Sequence, residues 1–122
     1  MDRRSLPDFI TTTANGVDGY DVVQTFGVVR GIVVRSRSVF GTIGATLQTL
    51  RGGNISLFEE LCERTRSDAY DRARDHALSL GANALIAIRY DATEIMQGVS
   101  EVLCYGTAVR IAPRLRRTAE QE

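Results

Sequence analysis

A chain of 122 residues, 43% hydrophobic and 25% charged, has the size and balance of one soluble globular domain with a small core. Its formal net charge of 0 supplies no overall field that would gather nucleic acid or an anionic membrane. Its two cysteines form no CxxC pair, its basic N-terminus has no apolar stretch behind it, and no apolar run reaches bilayer length, so a reducing cytoplasm is the expected compartment.

In chain order, residues 1–8 read as a loose lead-in, and Phe9 to Thr13 as a short β-branched strand that turns at Asn15-Gly16. Tyr20 to Val34 is rich in valine and interrupted by Gly27 and Gly31. Glycine inside a strand marks a bulge, a bend or the close approach of another backbone, so one long bent strand or two short ones are expected. Phe40, Ile43, Leu47 and Leu50 recur at helical spacing and give a shorter helix that Gly52-Gly53-Asn54 stops. Ser56, with Glu59 three residues on, reads as the N-cap of the clearest element, a helix from Leu57 to about Leu80.

Phe58, Leu61, Cys62, Thr65, Ala69, Ala73, Ala77 and Leu80 line one stripe of that helix. The alanines at its middle let it lie close to a partner surface. Gly81 follows at the position that ends a helix in the left-handed conformation. Ala84 to Tyr90 is a strand, Asp91-Ala92-Thr93 a turn, and Ile95 to Ile111 a long strand. One face of that last strand carries Ile95, Val99, Leu103, Tyr105, Val109 and Ile111. The other carries Gly98, Ser100, Val102, Cys104, Gly106 and Ala108, small enough to sit under the alanine stripe. Pro113 ends it, and the charged tail follows.

Strands on either side of helices give an α+β two-layer domain with an antiparallel or mixed sheet covered on one face. The second sheet face keeps apolar residues with no helix left to cover them, which marks an interface and therefore self-association.

Thr11-Thr12, the GVVRG run from Gly27 to Gly31, Gly52-Gly53, Arg72-Ala73-Arg74, the LGANA run from Leu80 to Ala84 and the GTAV run from Gly106 to Val109 stand in order with fitting gaps. Together they resemble the YbjQ-like family of small bacterial proteins, which also carries a heavy-metal-binding label. The resemblance covers about residues 9–111 as a single domain, with 1–8 and 112–122 as flexible termini. It implies a dodecin-like α+β subunit, an antiparallel sheet crossed by one long helix plus a shorter one, and assembly into a homo-oligomeric ring, commonly a pentamer. It brings no catalytic motif. Asn83 stands where the family often has aspartate, and Ala87 where it often has glycine.

A soft metal ion needs cysteine or histidine donors at close range. The chain offers Cys62, Cys104 and His76. Cys62 and His76 are fourteen positions apart on one expected helix, roughly 21 Å along its axis, so that helix cannot bring both to one ion. Core packing is the favoured role for both cysteines. A ring can still gather one cysteine from each subunit around an axis.

His76, beside Asp75 near a helix C-terminus, reads as a surface histidine favoured by the helix dipole. Ser36, Ser38 and Ser79 have no nucleophile motif around them. Phe40 to Thr46 has two glycines but neither the lysine nor the spacing of a phosphate loop. Arg30, Arg35, Arg37, Arg51, Arg64 and Arg66 are interleaved with acids and read as a mixed solvated surface, and the acidic pairs Asp91/Glu94 and Asp68/Asp71 as surface carboxylates.

The expected protein is therefore a non-enzymatic ring-forming subunit that binds a small ligand or a metal ion at subunit junctions, with no nucleic-acid or membrane partner. The alternatives are an enzyme whose site is assembled between subunits, and a pure scaffold or stress-associated assembly protein.

Overall fold

The computed structural model describes residues 8–36 and 55–115. The expected shorter helix, its Gly52-Gly53-Asn54 stop, the glycines of Phe40 to Thr46, and Ser38, Arg37 and Arg51 lie outside the described residues. What is described is an α+β arrangement of four strands and one helix: β1 (Ile10–Thr11), β2 (Tyr20–Ser36), α1 (Ile55–Ser79), β3 (Ala84–Met96) and β4 (Val99–Pro113). Among the described residues no helix is long and apolar enough to cross a membrane.

The sheet order is β1-β3-β4-β2. β4 is antiparallel to both β2 and β3, so those two run the same way on either side of it, and α1 makes the crossover that such a parallel relation requires. β1 pairs parallel to β3, with Ile10 opposite Ala84 and Thr11 opposite Leu85. The sheet is therefore mixed, not wholly antiparallel. A two-residue strand whose partner lies more than seventy positions away carries no local sign of its direction.

β2 is one continuous strand, bent by irregularities between Val22 and Gln24 and between Thr25 and Gly27, the latter at a φ of 110°. The expected turn at Asp91 to Thr93 is instead strand. β3 runs through it, and the chain reverses at Gln97-Gly98, where Gly98 has a φ of 78° and Met96 pairs with Val99. A glycine at positive φ makes the tighter reversal; the Asp91 side chain only accepts a hydrogen bond from the Ala92 N–H.

α1 begins at Ile55, so Ser56 lies inside its first turn and is not the N-cap. Its other end follows the sequence reading. Gly81 has a φ of 93°, its N–H donates to the Leu78 carbonyl, and the Ala82 N–H donates to the Ala77 carbonyl. That reciprocal pair is a Schellman cap.

Among the described side chains of α1 the buried ones are Leu61, Thr65, Ala69, Ala73 and Ala77, every fourth position. Thr65 satisfies its buried hydroxyl on the Leu61 carbonyl, 2.9 Å away. A single i, i+4 ridge is narrower than the apolar stripe the sequence suggests, and Phe58, Cys62 and Leu80 fall outside it, exposed. The ridge sits on Val29, Val33, Cys104 and Ala108, with Val102 at the margin, so the small-residue face of β4 does lie under the alanines. Gly31 sets the distance: a Cβ there would stand 2.1 Å from the Ala69 carbonyl oxygen and 2.5 Å from the Ala73 nitrogen.

Across the sheet a second cluster of Ala84, Ile86, Val109 and Ile111 is covered by Ile10, Val17 and Tyr20. The segment after β1 therefore clothes one end of the face that the sequence leaves bare. The rest of that face stays open.

Ala87 is the one non-glycine residue at positive φ (53°) among the described residues. It sits where β3 gains a residue on β4, between Ile86 and Arg89. Its N–H donates to the Ala14 carbonyl at 2.8 Å and that of Ile88 to the Thr12 carbonyl, so the bulge anchors the segment after β1. A glycine would adopt this conformation without strain. Ala87→Gly is expected to raise stability by about 0.5–1 kcal/mol, because relief of left-handed strain exceeds the added chain entropy. The urea midpoint should rise at unchanged slope.

Candidate metal and ligand site

The fold scatters the residues that bear chemistry. Cys104 is fully buried and pairs across the sheet with Gly31, which places it beneath the turn of α1 that runs from Ala69 to Ala73. On its other side it pairs with Tyr90. Burial pushes the Cys104 thiol up, against a smaller lowering by the Tyr90 hydroxyl. Tyr90 is pushed up to about 12, first by its own burial and then by Cys104, so it stays a neutral hydroxyl at every physiological pH.

Cys62 is exposed on α1, so its expected core role is wrong, while the same expectation holds for Cys104. The cause is angular. Each residue turns 100° about a helix, and Cys62 follows Leu61, a residue of the buried ridge. Native protein is accordingly expected to react with one equivalent of a thiol reagent per chain, at Cys62, and to release Cys104 only on unfolding. Timed labelling with peptide mapping checks this.

His76 is exposed in the last turn of α1, and its carbonyl accepts a hydrogen bond from the Ser79 hydroxyl. The paired carboxylates do not act in pairs. Asp91 and Glu94 fall on opposite faces of β3, opposite Leu103 and Ser100. Asp68 takes the Arg35 guanidinium at 2.7 Å. The described arginines form no patch, since Arg30 faces away from α1 while Arg35 and Arg66 lie on the helix side.

Several arginines hold backbone instead. Arg72 donates to the Ile32 carbonyl, Arg89 to those of Thr13 and Ile88, and Arg110 to that of Gly81.

One feature has no signal in the sequence. α1 covers β2 and β4 and leaves β3 at its flank, so a shallow cleft of about 420 Å³ opens there, lined by Glu63, Arg66, Ser67, Tyr70 and Tyr90. The Arg66 guanidinium lies 5.7 Å from the Tyr90 ring, and the Tyr70 hydroxyl shares a hydrogen bond with Thr11. The lining comes from helix and strand positions that only the tertiary fold brings together.

The family model described as "Putative heavy-metal-binding" matches residues 9–112. The chain belongs to the YbjQ-like family. A UPF0145 protein of Solibacter usitatus is 62% identical to this YbjQ-like chain over 108 residues, which are 88% of this chain and 96% of that one. A UPF0145 protein of Burkholderia mallei strain SAVP1 is 60% identical over 101 residues, covering 83% and 91%. A crystal structure of a DUF74-family protein of unknown function from Pediococcus pentosaceus superposes with a TM-score of 0.55 at 18% identity, over 85% of this chain and 98% of that one. That likeness concerns the fold alone.

The motifs that carry the YbjQ-like resemblance meet one another. Gly31 of GVVRG receives Ala73 of the Arg72-Ala73-Arg74 run. Asn83 of LGANA binds the strand that follows GTAV: its side-chain oxygen accepts the Ile111 N–H at 2.7 Å, and its amide donates to the Ile111 carbonyl at 3.0 Å. Both polar ends of Asn83 are thus committed to backbone. Asn83→Ala is expected to lower unfolding free energy by about 1–3 kcal/mol by orphaning that N–H and carbonyl. Chemical denaturation of the two proteins measures it.

The family's metal description is not matched by the donors of the described residues of this single YbjQ-like chain. Among the described residues no three of His, Cys, Asp and Glu gather closely enough to hold an ion.

Proposed function

We propose that this chain is a non-catalytic subunit of a homo-oligomeric, dodecin-like ring, a pentamer by its family resemblance, that works in the cytoplasm and holds a small ligand or a metal ion at the junctions between subunits. The observation that carries this reading is the sheet face turned away from α1. Val28 is 72% exposed and Val34 51%, with Ile32 between them and Leu103 and Tyr105 beside them on β4. Arg30 and Arg89 flank Tyr105 in the same row, so charged side chains stand among the apolar ones. Exposed apolar side chains interleaved with arginines in this way suit a contact surface.

Two further features agree. The largest fully buried side chains are only Leu85, Val29, Val33, Val109 and Cys104, so the subunit gains much by burying more. The tip of the β3–β4 hairpin also stands clear of the helix, with Ile95 and Met96 exposed.

Native mass spectrometry of untagged protein, with denaturing spectra and elemental analysis of the same sample, tests the reading. The expected result is a ring mass carrying a stoichiometric excess that the elemental analysis identifies. A stable monomer at micromolar concentration overturns it. Ile32→Asp, which plants a charge in the strip, should yield folded monomers; a persistent ring would move the interface elsewhere.

A further inference from the structure

Cys62, Cys104 and His76 are the only cysteines and histidine in the whole sequence, and all three lie in described elements. Their positions can therefore be compared completely. Cys104 opens into the core beneath Ala69 to Ala73 and is fully buried. Cys62 stands on the exposed side of α1, about nine residues before the middle of that turn and so roughly 14 Å along the axis. His76 is nearer along the axis but is exposed, whereas Cys104 is fully buried beneath the helix.

The thiolate is the form that ligates, and burial disfavours it at Cys104. A metal reaching that sulfur would also have to part α1 from the sheet where Gly31 allows no slack. Among the described residues, replacement donors from nearby carboxylates are not assembled either.

We infer that the described residues of one subunit hold no chelating site for a soft metal ion, so that chelation of such an ion by this protein takes donors from at least two subunits and none from Cys104. The first half stands on the geometry of a single chain; the second rests on the assembly reading above. A soft ion bound by one thiolate alone exchanges readily, whereas structural sites bring three or four donors together.

The test uses cadmium. Wild type, Cys62→Ser, Cys104→Ala, Cys104→Ser and Ile32→Asp are loaded with Cd²⁺ and desalted against a competing chromophoric chelator. Retained cadmium is then read by elemental analysis and thiolate-to-metal absorption, with native mass and circular dichroism of each sample. The inference stands if no form retains cadmium, or if only assembled forms do and both Cys104 variants match wild type. It falls if a folded monomer retains one cadmium per chain. It falls equally if a correctly folded Cys104 variant loses cadmium that wild type keeps. A wild-type monomer without cadmium overturns only the assembly reading; a wild-type monomer with cadmium overturns this one.

Discussion

Gly31→Ala should be the most damaging single-methyl change in the chain. The added carbon would meet the Ala69 carbonyl oxygen at 2.1 Å, the Ala73 nitrogen at 2.5 Å and the Arg72 Cβ at 2.7 Å. Two of these atoms are helix backbone, so no rotamer change relieves the contact. α1 must lift from β2, and lifting it loosens Ala69 and Ala73 together, and with them the Arg72 hydrogen bond to the Ile32 carbonyl at 2.6 Å. Overpacking ordinarily costs about 1–3 kcal/mol; with rigid partners on both sides a loss of at least about 3 kcal/mol is expected. In a domain with so small a core that is a large part of the total. The measurement is the urea midpoint followed by circular dichroism. A shift worth less than about 1 kcal/mol would mean that the helix is not seated on Gly31.

Leu85→Ala is expected to cost about 3–5 kcal/mol, the upper range for a leucine truncated in a site that cannot collapse. Leu85 is fully buried and is the largest such side chain. Its backbone is pinned on both sides, opposite Thr11 in β1 and Ala108 in β4, and its carbonyl accepts the Thr12 N–H. A strand held on two edges does not move in to fill a void. Leu85→Met, which preserves volume, should cost less than about 1.5 kcal/mol and separates cavity formation from any intolerance of change at this position. Equal losses from the two variants would contradict the packing account.

The elements that could be read from the sequence are those governed by neighbours in the chain. Gly81 as helix cap follows from one residue's conformational freedom, and the small face of β4 from strict alternation. Gly31 announces a bulge, a bend or a close approach, although the sequence does not say which of these it is or that Ala69 and Ala73 are what approaches. The errors share an opposite cause. The direction of β1, the continuation of β3 through Asp91 to Thr93, and the covering of Val109 and Ile111 by Ile10, Val17 and Tyr20 all depend on pairings between distant segments.

Cys62 was misplaced because periodicity locates a stripe without giving its width, and alanines that seat deeply make the stripe one ridge wide. The Tyr70–Tyr90 cleft is of the same kind, since nothing local tells that α1 will stop short of β3.

The strand order has a consequence for synthesis. β4 is the last described element to leave the ribosome, yet it occupies the slot between β2 and β3 and carries nearly all their partners. Until it emerges, the earlier strands have no common neighbour and α1 lacks part of its floor, Cys104 and Ala108. Translation that pauses before Val99 would thus hold the nascent chain with its valine-rich β2 unpaired, the kind of exposed strand that chaperones exist to shield. Among the described elements, the sheet is completed by the strand made last, β4.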